Sequence, residues 1–479
     1  MKSISLITCI VLINLGTFAQ SPDRHAPPEL SKAKNLHLSP IQKFSLSNGL
    51  NVVLLEKHTV PLLEIDLLIK TGSFDDPSGK EGLASFALDL MDEGANGMDA
   101  LKLADEIDFM GANISTFAGN FSSGIDCLTP VSKLEASLKL MSDIALKPTF
   151  SESDIDRVKK SRMNELLKDF DEPRIIARKA FDKFMYAPNT PYGKFANETS
   201  IQSFSKADLA SFHKTNFVTS NSTLIIVGDI TRQDITPLLE KFFASYPSGP
   251  NQRATKPIPQ QVKGRVIYLV DKPGAAQSVI RIGRIGTARD DKDYDNIGVM
   301  NTILGGSFAS RLNTNLREEH GYSYGASSSF TFWPIPGPFL ASSSVQTDVT
   351  GLALNEFFNE FKKMRLPIPD ADFERGKNYE ALGYAGDFET NANIASALAE
   401  LVRFNLKDDY FNTYVEKVLA VNKKDIEAAA KKYIVPENMM IVIVGDRSKI
   451  EKGVKALNLG KITTLSIEDV LGKKPQLKE

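Results

Sequence analysis

Two hydrophobic patterns share the chain. Short runs in which apolar residues follow one another or alternate with polar ones predict strands, as in Gly124-Ile-Asp-Cys-Leu128 and in the run that closes on Val-Gly-Asp at 227–229. Longer stretches with apolar residues three and four apart predict helices, the longest being residues 154–184. The stretch Gly82-Leu-Ala-Ser-Phe-Ala-Leu-Asp-Leu-Met-Asp-Glu-Gly94 reads as a mostly buried helix. Its apolar body is Leu83, Phe86, Ala87, Leu90 and Met91, and Ser85 and Asp89 form a polar stripe. Gly111-Ala-Asn-Ile-Ser-Thr-Phe-Ala118 reads as a strand.

The pattern occurs twice. Residues 208–229 match 425–446 without a gap, and both segments run from a helix through two apolar residues and an Asn into STLIIVGD or MMIVIVGD. Upstream, Asp154-Ile-Asp-Arg-Val-Lys matches Asp372-Phe-Glu-Arg-Gly-Lys with the offset changed by one residue, and Val53-Leu-Leu-Glu-Lys57 has a weaker counterpart in Tyr268-Leu-Val-Asp-Lys272. Each unit therefore opens with strands, passes through long helices and closes on a β run, an α/β (α+β) sandwich present in two copies. Residues 245–264, SYPSGPNQRATKPIPQQVKG, keep neither period and read as an extended linker. The expected organisation is a first domain at 41–244 and a second at 265–465, facing each other across a cavity, with a tail at 466–479 and an N-terminal extension at 20–40.

The 19 residues ahead of that extension change the picture. Lys2, an apolar run from Ile4 to Leu15 and small residues up to Thr17-Phe18-Ala19 predict a secretory signal peptide at 1–19, too short an apolar run for a comfortable membrane span. Export is expected, to the periplasm or to the medium. Cys9 falls inside the signal, so the mature chain keeps only Cys127, which sits in an alternating strand and reads as a buried small side chain. Composition adds exclusions: with 57 Lys and Arg against 59 Asp and Glu, the net charge of −2 calls for neither nucleic acid nor an anionic membrane surface.

The helix at 82–94 resembles that of the pitrilysin/insulinase type of zinc peptidase, in which the corresponding run is Gly-Leu-Ala-His-x-x-Glu-His. Two His at i and i+4 would present two imidazoles for zinc on one helical face, with the Glu activating the metal-bound water. Here Ser85, Leu88 and Asp89 stand at those three positions, and Glu165 lies at about the spacing of the family's third ligand. Two carboxylates and a hydroxyl suit an oxygen-loving cation better than zinc, and no base stands at Leu88. No metal is expected on this chain. Its five histidines, His25, His37, His58, His213 and His320, offer no pair at ligand spacing.

The resemblance extends over nearly all the mature chain and implies two homologous domains, each with a mainly antiparallel sheet flanked by helices. It is strongest in Leu304-Gly-Gly-Ser-Phe-Ala-Ser-Arg-Leu-Asn-Thr-Asn-Leu-Arg-Glu-Glu-His-Gly-Tyr-Ser-Tyr-Gly325. In that family an Arg at a helix end and a Tyr seven residues on reach toward a zinc held by the other half of the enzyme. Carried over, these are Arg317 and Tyr324, with Tyr322 as the alternative phenol. A guanidinium fork and a phenolic hydroxyl suit stabilisation of an oxyanion; the alternative is that Arg317 pairs with Glu318 or Glu319 and that Tyr324 is a core strand residue. The family also adds substrate peptide to a sheet edge, which the resemblance places at Ile114, Ser115, Thr116, Phe117 and Ala118; an ordinary edge strand is the other reading.

Together these imply a non-catalytic subunit of a heteromeric zinc metallopeptidase. Zinc would reside on a partner chain of the same family, and this chain would bind peptide and contribute Arg317 and Tyr324. A homo-oligomer, or an inactive peptide-binding or assembly protein, is the alternative.

Overall fold

The computed structural model describes residues 31–188, 190–250, 255–261 and 263–476. The expected signal peptide, with Cys9, and His25 in the extension lie outside them. Two six-stranded sheets carry the fold. The first consists of β1 (Gln42–Ser45), β2 (Asn51–Glu56), β3 (Leu62–Ile69), β4 (Asn113–Ala118), β5 (Ser123–Pro130) and β6 (Ser222–Gly228), in the order β1-β2-β6-β3-β5-β4. The second consists of β7 (Val266–Asp271), β8 (Gln277–Ile285), β9 (Ser323–Phe330), β10 (Pro338–Gln346), β11 (Met440–Gly445) and β12 (Lys461–Leu465), in the order β9-β10-β8-β11-β7-β12.

Five strands of each sheet follow one plan, and pairing is antiparallel except at β2/β6, β7/β11 and β7/β12. The repeat holds down to single bonds: Lys57 N donates to Gly228 O and Lys272 N to Gly445 O, each at 2.9 Å. The helices that matter here are α1 (Leu83–Met91), α2 (Glu152–Asp169), α3 (Pro173–Met185), α4 (Lys206–Asn216), α5 (Asp370–Gly383), α6 (Asn391–Phe404) and α7 (Lys423–Tyr433). The matched segments begin α4 and α7 in the same way, with Ser205 and Asn422 accepting the N–H of Asp208 and Asp425.

The single helix expected over 154–184 is in fact α2 and α3. Pro173 cannot donate within a helix but fits its first position, so the chain breaks before it and restarts there.

Central strands explain how the halves meet. Alternate side chains of β3, such as Leu63, Ile65 and Leu67, enter the first half's own core, whereas Leu68 joins Val53, Leu55, Ile225 and Val227 on the opposite face. That face is covered by Ile394, Ala395 and Leu398 of α6, a helix from the second half. Reciprocally, Ile176, Ala177, Ala180 and Phe181 of α3 cover Val279, Met440, Val442 and Val444 of the second sheet. Over these two sheet faces the cavity expected between the halves is filled by exchanged helices. The approach is close: a Cβ on Gly283 of β8 would lie 2.1 Å from Phe339 O and 2.7 Å from Phe181 Cζ.

Candidate functional site

Helix α1 is started by Gly82, whose φ of 94° few side chains tolerate. The Asp76 carboxylate accepts the N–H groups of Gly82 and Ala84 at 2.7 and 2.8 Å, meeting donors that a helix start leaves free. Burial nevertheless pushes the Asp76 carboxyl up to about 7.

Leu83, Phe86, Ala87, Leu90 and Met91 are buried in the first core, as the pattern predicts. Ser85 Oγ donates to Gly82 O at 3.0 Å, a local helix bond. Leu88 is 1% exposed, and its carbonyl accepts from Thr116 Oγ1 at 2.8 Å, which ties α1 to β4.

Asp89 and Glu165 do come together, but around a cation that the chain itself supplies. Arg162, one turn before Glu165 on α2, bonds Asp89 through Nη2 and Glu165 through Nη1, the latter at 3.0 Å. Burial drives the Asp89 carboxyl upward against the pull of Arg162. The guanidinium loses hydration by burial, yet Asp89 and Glu165 hold its pKa above the ordinary value. This donor set does not fit the family's zinc: a hydroxyl spent on its own helix, an apolar side chain and two carboxylates bridged by an arginine leave no place for a dication. Among the described residues no group of three His, Cys, Asp or Glu is arranged to hold a metal ion.

Arg162 escaped the sequence reading. Its signal was its spacing of three from Glu165, which by itself describes any surface ion pair on a helix.

The strand carrying Ile114 to Ala118 is β4, an edge strand paired only with β5. Ile114 is buried in the first core, Ser115 is exposed, Thr116 is held by Leu88, and Phe117 packs against the face covered by α6.

In the second half, Arg317 lies in a π-helical turn, Thr314–Glu319, followed by Gly321 at φ 64° and then by β9. Its Nε pairs with Glu318 at 3.1 Å, and its guanidinium stacks on Phe308 with 4.7 Å to the ring centroid. Tyr324 is 94% exposed on edge strand β9, so it is no core residue; Tyr322 is partly buried against His320 and the second core.

The remaining candidates are structural. Cys127 is buried, with its thiol pushed up to about 12 by burial and then by Glu64, Asp66 and Asp126, so it is poorly nucleophilic. His58 bonds Asp229 at 2.7 Å, His213 bonds Ala145 O at 2.8 Å, and His320 bonds Asn315 O at 3.0 Å. Three carboxyls on the sheet face toward α6 also went unread: Glu64, Asp66 and Asp126. Asp66 and Asp126 are cross-strand partners, and burial, followed by Asp126 and Glu64, pushes Asp66 up to about 9.

Comparison with known proteins places this geometry. Residues 51–189 match the family described as insulinase (peptidase family M16), and residues 203–379 match the peptidase M16 inactive domain. A protein of Rickettsia bellii described as an uncharacterized zinc protease is 23% identical over 340 residues, 69% of this chain and 80% of that one. The zinc protease PqqE of Helicobacter pylori is 22% identical over 452 residues, 89% of this chain and 95% of its own. Among solved structures, a peptidase M16 inactive domain from Pseudomonas fluorescens superposes with a TM-score of 0.77 at 25% identity, covering 85% of this chain and 98% of that one. A protease from Helicobacter pylori superposes with a TM-score of 0.78 at 20% identity, covering 85% and 100%. A two-sheet chain with α1 in the motif position and these matches across both halves belongs to the insulinase (M16) family of peptidases.

Proposed function

We propose that this chain is the non-catalytic subunit of a heteromeric zinc metallopeptidase, binding peptide and lending Arg317 and Tyr324 to the zinc site of a partner of the same family. The observation that carries the reading is the contrast between two surfaces. At α1 the chemistry is closed by Arg162, whereas Tyr324 stands almost wholly exposed and, among the described residues, has no side-chain bond of its own. In this role Arg317 and Tyr324 donate to the carbonyl oxygen on which negative charge develops. The free edge of β4 takes the peptide as an added strand through backbone bonds. The apolar run at 4–15 supports export, and we take the periplasm as the destination.

The test is to purify the mature chain and a homologue with an intact His-x-x-Glu-His, then measure zinc content and cleavage of a mixed peptide library alone and together. The mixture is expected to cleave faster than the homologue alone, with Arg317→Ala lowering turnover at least tenfold without preventing association. A mixture no more active than the homologue sinks the subunit role. The pairing of Arg317 with Glu318 and its stacking on Phe308 favour a second reading, an inactive peptide-binding or assembly protein, which predicts association with turnover unchanged.

A further inference from the structure

A cavity of about 1180 Å³ opens between α5, the turn Tyr384–Phe388 that follows it, α6 and residues 410–414, and it shares no residue with α1, β4 or the Arg317 turn. Aromatic rings form much of its wall. Tyr379 is 55% exposed, and the half-buried rings of Tyr384 and Tyr414 lie 4.3 Å apart. The chain's own cations already use such rings here: Arg289 stacks over Tyr294 at 3.7 Å, and Lys417 lies over Tyr410 at 4.5 Å.

Four carboxylates line the cavity against two guanidiniums: Glu374, Glu380, Asp387 and Glu400 against Arg289 and Arg375. Both positive charges are already engaged. Arg289, 6% exposed, donates Nε to Glu400 at 2.8 Å, and Arg375 donates Nη2 to Asp372 at 2.9 Å. Glu380 accepts from Thr302 Oγ1 and from the Tyr414 hydroxyl. Glu374 and Asp387 remain. Both are exposed, and among the described residues neither has a hydrogen bond or an ion pair. Two open carboxylates in one cavity with uncovered ring faces attract a positive charge on an apolar stem and repel anions.

We propose that this cavity binds an organic cation, a guanidinium or alkylammonium group on an apolar stem, with Glu374 and Asp387 as its counterions and the stem against Tyr379, Tyr384 and Tyr414. The volume exceeds the roughly 300–1,000 Å³ typical of small-ligand sites, so the cavity admits such a group on a peptide side chain as well as on a free amine. The proposal is independent of whether a zinc-bearing partner exists.

The test titrates the full mature chain, by calorimetry, with N-acetylated and C-amidated hexapeptides carrying one arginine or, in its place, the neutral isostere citrulline, and with agmatine as a free guanidinium. The arginine peptide or agmatine is expected to bind at least tenfold more tightly than the citrulline peptide, and less tightly as salt is added. A peptide tighter than agmatine assigns the group to a side chain, and equal binding assigns it to a free amine. Glu374→Gln and Asp387→Asn are each expected to weaken binding several-fold at an unchanged melting temperature, since the fold uses neither carboxylate, and Tyr379→Leu to weaken it through loss of the ring face. Asp105→Asn with Glu106→Gln, exposed carboxylates on another surface, should change nothing. Overturning results are equal binding of the arginine and citrulline peptides, with agmatine no tighter; no binding up to millimolar concentration; or an equal loss in the Asp105/Glu106 control, which would mark diffuse attraction.

Discussion

Arg162 brings to Asp89 and Glu165 the positive charge that a metal ion would bring, and unlike a metal it cannot be removed by a chelator. Restoring the two histidines is therefore expected to be insufficient. Ser85→His with Asp89→His should remain zinc-free, whereas adding Arg162→Ala should raise metal toward one zinc per chain, read by atomic absorption on dialysed protein. Arg162→Ala alone leaves Asp89 unpaired; because that side chain is 39% exposed, the loss should be modest, about 1 kcal/mol or less in chemical denaturation. Tyr324→Phe should leave the melting temperature within about 1 °C, since an exposed hydroxyl with no side-chain bond holds nothing. The broken motif was legible because Ser85, Leu88 and Asp89 interrupt a pattern with strict chemical requirements. What replaced it was not, because an arginine on a polar helix face looks the same whether it meets water or a carboxylate from another element.

Elements were legible wherever a pattern had only one way to be satisfied. The offset of 217 residues fixed α4 with α7 and β6 with β11, since both copies carry the same cap position and the same apolar run. Hydrophobic period says which face of a helix is buried but not against what, so the pairing of α3 with the second sheet and of α6 with the first could not be read. The tightness of that pairing can be measured. Gly283→Ala places a methyl against Phe339 O and the Phe181 ring and is expected to cost about 1–3 kcal/mol in denaturant unfolding. The carboxyls under α6 give a pH dependence. Burial, then Asp126 and Glu64, raises the folded Asp66 pKa to about 9 from an ordinary 3.8, so the folded state holds a proton that the unfolded chain releases. That stability is fully present below about pH 4 and is lost as pH climbs through about 9. Asp66→Asn should flatten the decline of melting temperature between pH 7 and 9, and an unchanged slope would show that Asp66 is not its source.

At the scale of the whole molecule, two copies of an α/β unit and a connecting segment were visible in the sequence; the parallel pairs within each sheet and the interdependence of the copies were not. Tyr246, within the segment read as a linker, is buried in the first core and bonds Ser222 at 2.8 Å, while Tyr192 donates to Pro257 O at 2.5 Å, so the connection is anchored at both ends of its described parts. Residues 41–250 and 255–476 expressed separately should each be insoluble or molten, with an apolar sheet face bare, and co-expression should recover a soluble pair. A well-folded isolated half would contradict the packing described above. No helix among the described residues is long and apolar enough to cross a membrane.

The exchanged helices bear on how such a chain can change over time. A half whose motif has decayed cannot be discarded, because its α3 roofs the other half's sheet. Substitutions at α1 are thereby uncoupled from survival of the fold: the chemistry of one copy can be erased residue by residue while its architecture stays under selection as its neighbour's missing wall.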